Sequence, residues 1–225
     1  MIELEPVKHH IQKYILSVLM IQPTARFRDM RPPKVDTNLY SYHLKLLQKQ
    51  GYIDKSERGY ALSKKGIVYI DRVTTANLDV RIQPKITTMF VIQNSEGRVL
   101  LYKRYRQPFA GRWSLPNGKL HITDRSIADA ARRELSEKLK LSNQPVIHAG
   151  DCYIRTISEG EVIMSTYIHV FRFETDEIQE NDQMKWVKPH KLAEYNLAPA
   201  VEQIITRTFF RDKYYFEEYE EYWYN

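Results

Sequence analysis

The sequence predicts a two-domain protein of mixed α and β structure, because charge and periodicity both change along its 225 residues. Residues 1–80 carry 13 Lys and Arg against 8 Asp and Glu, a net charge of +5, which leaves +1 of the overall +6 for the remainder. Residues 10–66 show mainly helical periodicity, whereas residues 85–104 and 146–173 alternate as strands. We therefore predict a small basic domain at 1–78, followed by a larger domain that contains a sheet.

The composition favours a cytoplasmic protein. No apolar run approaches the length of a membrane span, and residues 1–8 lack the pattern of a signal peptide, so we expect no membrane association. Cys152 is alone, which excludes an internal disulfide framework and predicts a buried, inert thiol in a reducing compartment. The basic first domain favours an anionic partner.

In the first domain, apolar residues three and four apart predict helices, as at Ile11 and Ile15. Pro23 ends the first helix, and Asp36 or Thr37 can cap the next major one. The predicted elements are a helix at 10–20, a short helix or turn at 26–30, a helix from 37 to 51, a hairpin at 54–62 and a helix that opens at 63–66.

This order and its residues resemble the winged helix-turn-helix of bacterial ArsR- and MarR-type repressors, over roughly residues 10–75. The resemblance is carried by Ser41-Tyr42-His43-Leu44, Leu47, Gly51 and Ile53, and then by Gly59-Tyr60-x-Leu62-Ser63-x-x-Gly66. It implies that double-stranded DNA is a partner. The residues it places toward bases or phosphates are Asn38, Ser41, Tyr42, Lys45, Arg58, Lys64 and Lys65. A winged helix that contacts only proteins is the alternative.

The second domain opens with two predicted strands, at 85–93 and 98–104, around a turn at 94–97. Basic and aromatic residues alternate directly after them. Guanidinium groups next to aromatic rings are suited to holding phosphates and stacking a base. The candidate ligand-binding residues here are Arg104, Arg106, Arg112 and Trp113, with surface charges around core aromatics as the alternative.

A loop with Gly118 leads into a predicted helix in the second half of residues 118–141, which carries Glu134 and Glu137. Because these glutamates are three residues apart, both carboxylates project from one helix face. Hard oxygen ligands beside a glycine loop suit a divalent cation held against a diphosphate. An amphipathic helix with a solvated charged face is the alternative.

Two segments here, Trp113-Ser114-Leu115-Pro116-Asn117-Gly118 and Arg133-Glu134-Leu135-Ser136-Glu137, resemble the Nudix box and the residues before it. The resemblance implies a Nudix-type α/β/α sandwich over residues 84–208. It implies Mg²⁺ or Mn²⁺ on Glu134 and Glu137, which would then be both metal ligands and catalytic residues. It also implies a brace between Asp124 and Arg133. Gly118 and Lys138 are further candidate ligand-binding residues.

Three departures from the box bear on activity. The spacer between Asp124 and Arg133 is one residue too long, Lys138 replaces the last glutamate, and Lys140 replaces a late glycine. An ammonium group repels a divalent ion unless it takes the place of the metal against phosphate. Some family members use a further carboxylate, for which the candidates are Glu177, Glu180 and Asp182.

The end of the chain adds an aromatic and acidic extension at 209–225. Such a density of aromatic residues usually packs on something. We expect a helix docked on its own domain or on a dimer mate, with shielding of the basic first domain as a weaker hypothesis.

These observations favour a transcription regulator that binds DNA as a homodimer and senses a nucleoside-diphosphate compound such as ADP-ribose. The rival hypothesis is an active Nudix hydrolase that cleaves a nucleotide diphosphate linkage with the help of Glu134 and Glu137. A third hypothesis is an interaction protein that neither binds DNA nor turns over a substrate.

Overall fold

The structure is a computed structural model that describes residues 5–74, 78, 83–142, 144–210 and 213–223. The chain divides into two compact units, Met1–Ile82 and Gln83–Asn225. Much of the predicted linker at 74–84 lies outside the described residues. Among the helices of the described segments, none has the length and apolar character needed to cross a bilayer.

The described residues of the first unit form three α-helices and a small antiparallel sheet in the predicted order. Its elements are α1 (His10–Ile21), a 3₁₀ helix (Phe27–Met30), α2 (Thr37–Lys49), β1 (Ile53–Ser56), β2 (Gly59–Leu62) and α3 (Lys64–Ile70). Asp36 caps α2 by accepting hydrogen bonds from the backbone N–H groups of Asn38 and Leu39, at 2.7 and 3.2 Å. The helix ends before Gly51, which turns the chain at a φ of 77°.

The core of this unit lies between α1, α2 and the β1–β2 hairpin. Leu44 and Leu47 of α2 are fully buried, as the helical spacing predicts, and they pack with Ile11 and Ile15 of α1. Their burial leaves the polar side of α2 directed outward.

The second unit is built on an eight-stranded mixed sheet. Its strands are β3 (Lys85–Gln93), β4 (Val99–Lys103), β5 (Trp113–Ser114), β6 (Asn117–Lys119), β7 (Ile147–Ser158), β8 (Glu161–Glu174), β9 (Met184–Val187) and β10 (Tyr215–Tyr222). The main order is β10-β7-β8-β3-β4-β5, with β6 paired to β3 and β9 paired to β4. The pairs β3–β8 and β10–β7 are parallel, and the others are antiparallel.

Two helices cover opposite faces of this sheet and create two cores. Helix α4 (Ile127–Leu139) buries Ala131 and Leu135 against Phe90 and Phe171. On the other face, α5 (Val201–Phe210) joins a second cluster that contains Val91, Leu101 and Cys152. A 3₁₀ helix, Pro189–Glu194, precedes α5. Cys152 is buried as predicted, and burial raises the pKa of its thiol to about 12.

The expectation of a helix in the C-terminal extension is wrong, because β10 is a strand that pairs with β7 of its own unit. The residues of β10 alternate with a period of two. Tyr215 and Tyr219 face the cluster under α5, while Phe216 and Tyr222 point away and are exposed. Aromatic residues in this alternation favour a strand, which gives the segment a place in the core of the domain.

Candidate functional site

The glycine loop and α4 meet at Gly118 and Glu134. Gly118 lies on β6, and a Cβ atom added there would come within 1.7 Å of the Glu134 side chain. Glu134 is therefore seated directly on the glycine, and it is only 5% exposed. Ser126 caps the helix by accepting a hydrogen bond from the Asp129 N–H at 3.1 Å. This packing fixes where the Glu134 carboxylate lies.

Arg133 ties the loop to the helix, as the resemblance implies. Its guanidinium donates two parallel hydrogen bonds of 2.9 Å to the two carboxylate oxygens of Asp124. It also donates to the Lys119 carbonyl oxygen at 3.0 Å. The bonds from Arg133, with one from the His121 N–H, lower the pKa of Asp124 to about 2, so this carboxyl is charged near neutral pH.

The Glu134 carboxylate is neutralised by two cations of the protein itself. Its Oε1 accepts from Arg133 Nη1 at 2.8 Å, and its Oε2 lies 3.1 Å from Lys138 Nζ. Glu137 is more exposed, and its Oε2 lies 3.5 Å from the same Arg133 nitrogen. Two carboxylates that already share two cations do not fit a tightly held Mg²⁺ or Mn²⁺, which prefers charged oxygens without competing ammonium groups.

Lys140, which stands where the Nudix box has a late glycine, has a local structural role at the end of α4. Lys140 follows α4 in the left-handed conformation, with a φ of 59°, and its N–H donates to the Leu135 carbonyl oxygen. Glycine is preferred in this position because it has no Cβ. Lys140 closes the helix in the same way.

A cleft lies on the opposite face of the sheet, behind β6. Because side chains alternate along a strand, Asn117 and Lys119 face the cleft while Gly118 faces α4. The cleft has a cavity volume of about 210 Å³ and continues into a more open recess of about 560 Å³. Polar lining residues include Lys85, Thr87, Arg104, Gln107, Asn117 and Lys119; apolar ones include Met89, Ile154 and Ile168.

Of the four predicted basic and aromatic residues before the loop, only Arg104 lines this cleft. Its Nε donates to the Pro108 carbonyl oxygen at 2.9 Å, and burial lowers the pKa of its guanidinium. The other three have different partners. Arg106 lies 5.0 Å from the Tyr105 ring centre, and Arg112 lies 4.5 Å from that of Trp223. The ammonium groups of Lys103 and Lys185 lie 5.7 and 5.5 Å from the Trp113 ring centre.

The sequence reasoning missed most of the cleft. Lys85, Thr87 and Lys119 come from two strands whose pairing register aligns Thr87 with Lys119. The only sequence signal for the cleft was the alternation of polar side chains at the start of β3. A two-residue period shows which side chains share a face, but it does not show which face carries a site.

In the first unit, all seven predicted DNA contacts are at least partly open to solvent. Asn38, Tyr42, Lys45, Arg58 and Lys64 are exposed, and Ser41 is half-buried. Lys65 differs, because its ammonium group lies over the Tyr52 ring at 4.7 Å. Together α2 and the tip of the β1–β2 hairpin present polar and basic groups to solvent.

An α/β/α sandwich in which a glycine loop runs into a helix with paired glutamates is the arrangement of the Nudix fold. The comparisons agree: the model of the NUDIX domain matches residues 83–208, and the chain belongs to the NUDIX family. It is similar to the nucleoside triphosphatase NudI of Escherichia fergusonii, with 34% identity over 129 residues. That match covers 52% of this chain and 90% of NudI.

Solved structures share the fold of the second unit. The MutT protein of Bacillus halodurans matches with a TM-score of 0.50 and 18% identity, over 60% of this chain and 89% of that one. The NUDIX domain of Shewanella oneidensis NrtR, in a structure with ADP-ribose, matches with a TM-score of 0.47 and 20% identity. That match covers 56% of this chain and 87% of the other.

Proposed function

We propose that the protein is a DNA-binding regulator whose Nudix domain binds a nucleoside-diphosphate compound, such as ADP-ribose, without cleaving it. One observation carries the proposal: the Lys138 ammonium lies 3.1 Å from Glu134, where the Nudix box has a further carboxylate, while the cleft behind β6 keeps its cationic lining. The first feature opposes metal-dependent hydrolysis, and the second favours binding of an anion.

The chemistry of the cleft supports a nucleotide ligand. Lys85 and Lys119 are exposed at its edge, where their ammonium groups suit a diphosphate. Met89 and Ile168 provide an apolar wall for a ribose or a base. The inner cleft is small, but with the outer recess it reaches the 300–1,000 Å³ typical of small-molecule sites.

The first unit supports the DNA-binding half of the proposal. We assign it as a winged helix in which α2 enters the major groove and the β1–β2 hairpin is the wing. Asn38, Ser41 and Tyr42 lie near the start of α2, where side chains reach base edges in this type of domain. Arg58 at the hairpin tip, with Lys64 and Lys65, would contact phosphates. A homodimer would place two such helices on half-sites one helical turn apart.

DNA binding is tested by fluorescence anisotropy with the DNA upstream of the protein's own gene, over a range of salt concentrations. We expect wild type to bind, and Lys45→Ala with Arg58→Ala to weaken binding at least tenfold. Loss of a phosphate contact at Arg58 should make the slope of log affinity against log salt shallower by about 0.9.

The matched control for this test is Lys188→Ala with Lys191→Ala, which removes two exposed charges from the second unit. It should bind DNA as wild type does. If the wild type binds no DNA at 50 mM salt, the proposal of a regulator loses its support. Equal DNA affinity of the two double variants would have the same consequence.

A hydrolase is the second candidate, favoured by the 34% identity to a nucleoside triphosphatase over 90% of that enzyme's length. In this alternative, turnover by the wild type would depend on Glu137, the more exposed of the two helix carboxylates. Turnover of a nucleotide panel that Glu137→Gln abolishes would favour the hydrolase over the sensor.

A further inference from the structure

Four side chains converge on Asp151 of β7, on the sheet face that α4 also covers. Asp151 Oδ1 lies 2.8 Å from His148 Nε2 and 2.8 Å from His169 Nδ1. Its Oδ2 accepts hydrogen bonds from Tyr167 and Tyr214, at 2.9 and 2.6 Å. Within the described segments, this is the only trio of His, Cys, Asp or Glu whose ligand atoms all lie within 4.8 Å of one another.

Strand pairing places these ligands on a rigid base. Asp151 and His169 are direct neighbours across the antiparallel pair β7–β8. A β-bulge between His148 and Gly150 shifts the register, so that His148 is paired with Phe171 and lies on the same face as Asp151. Ligands held by paired strands keep their positions better than ligands on loops.

The spacing and the chemistry of the three atoms suit a transition metal. Bonds of about 2.0–2.2 Å to imidazole nitrogen and carboxylate oxygen put neighbouring ligand atoms about 3–3.5 Å apart. Each imidazole nitrogen lies 2.8 Å from Asp151 Oδ1, and the three atoms all lie within 4.8 Å of one another, so small shifts would bring them to that spacing. Two imidazoles with one carboxylate form a recurrent protein site for Zn²⁺ and Fe²⁺ that leaves positions open for water or another ligand.

The surroundings of the trio also suit a metal. Tyr167 and Tyr214 donate hydrogen bonds to Asp151 Oδ2, which keeps Asp151 Oδ1 directed at the two histidines. Groups that hydrogen-bond to the ligands of a metal centre orient those ligands in the same way. Asp151 and His169 are buried, whereas the side chain of His148 is 36% exposed and gives a path from solvent. An ion can therefore reach ligands that are already positioned.

We propose that His148, Asp151 and His169 form a binding site for a divalent transition metal of the Zn²⁺ type, separate from the carboxylates of α4. The pairing register supports the separation. The Glu134 side chain lies against Gly118, which is paired with Thr88 on the adjacent strand β3. Thr88 is paired on its other side with His169 of β8. Two strand spacings separate Gly118 from His169, roughly 10 Å.

A metal at this site would link β7 to β8 next to Tyr214, which leads into β10. Because β10 pairs only with β7 in the described sheet, the ion would strengthen the edge at which the chain returns to the sheet. The ligand that fills an open coordination position would be water or an anion from solvent.

The test is titration of the chelator-treated, full-length protein with Zn²⁺ by calorimetry and with Co²⁺ by visible absorption. Wild type should bind about one equivalent, release protons, and gain thermal stability when Zn²⁺ is added. His148→Ala, which removes the exposed ligand, should weaken binding more than 100-fold and lose the thermal shift. Tyr214→Phe keeps all three ligands and should weaken binding about tenfold by loosening Asp151.

The control is His190→Ala, which removes an exposed histidine from the 3₁₀ helix Pro189–Glu194 and should leave the titration unchanged. Because His9 and His10 of the first unit could bind metal independently, the His9→Ala, His10→Ala double variant is titrated as well. It should still bind about one equivalent of Zn²⁺. Absence of a stoichiometric site in wild type would overturn the proposal. So would wild-type affinity in both His148→Ala and Tyr214→Phe.

Discussion

At the scale of single residues, Lys138 is the side chain on which the proposal of binding without hydrolysis depends. Its ammonium lies against a carboxylate that is almost fully buried, so the Glu134 charge is already balanced inside the protein. A divalent ion would have to displace this ammonium while Arg133 stays on the other oxygen. Under the proposed function, a single side chain thus replaces a metal centre by an internal ion pair with no change of fold.

Lys138→Glu should create a Mn²⁺ site by replacing the competing cation with a third carboxylate. We expect Mn²⁺ to bind at least tenfold more tightly than to wild type, because charged oxygens are the ligands that this ion prefers. Calorimetry measures the affinity, and Mn²⁺ should raise the melting temperature of the variant more than that of wild type.

Arg132→Glu controls for the change in charge, since Arg132 lies on the same helix but pairs with Asp129 at the surface. It should bind Mn²⁺ as wild type does. Equal Mn²⁺ affinity in wild type and Lys138→Glu would mean that Lys138 does not block the site.

At the scale of elements, β10 illustrates how the last segment completes the domain. The Tyr215 ring lies over Gly150 of β7, where a Cβ atom would come within 2.6 Å of it. The Tyr215 hydroxyl is hydrogen-bonded to Thr208 of α5 at 2.9 Å, and Arg207 pairs with Glu217 at 2.7 Å. The strand is therefore held by both the sheet and the helix.

Tyr215→Ala should destabilise the second unit by about 3 kcal/mol, because it removes a buried ring and leaves a cavity next to Gly150. Tyr222→Ala, on the exposed side of the same strand, should change stability by less than about 0.5 kcal/mol. Urea unfolding followed by tryptophan fluorescence measures the effect, since all three tryptophans lie in this unit. Similar losses in both variants would contradict the packing described here.

Most helices and strands could be predicted from periodicity and capping residues. The strand β3 has the predicted bounds, and α4 lies in the predicted second half of residues 118–141. The expectation of a helix in the C-terminal extension failed. This acidic and aromatic segment forms β10 instead, because tertiary packing selected the two-residue period. The ligands at His148, Asp151 and His169 have no local signature; a bulge and a strand register bring them together.

At the scale of the whole molecule, the two units differ in charge and in the chemistry they offer. The basic excess lies in the first 80 residues, while the second unit carries the cleft lined by Lys85, Arg104 and Lys119. A regulator needs these two sites to influence each other. Such an influence is a coupling free energy, and it must have the same size whichever ligand is added first.

ADP-ribose should therefore change DNA affinity by a factor of about 5 to 150, and saturating DNA should change ADP-ribose affinity by the same factor. Anisotropy of labelled upstream DNA measures the first, and calorimetry with and without that DNA measures the second. Lys119→Ala, at the edge of the cleft, should need more ADP-ribose for the same effect, because it loses a cation that faces the diphosphate. If ADP-ribose binds and DNA affinity stays constant, the two sites are independent and the protein is not a sensor of this compound.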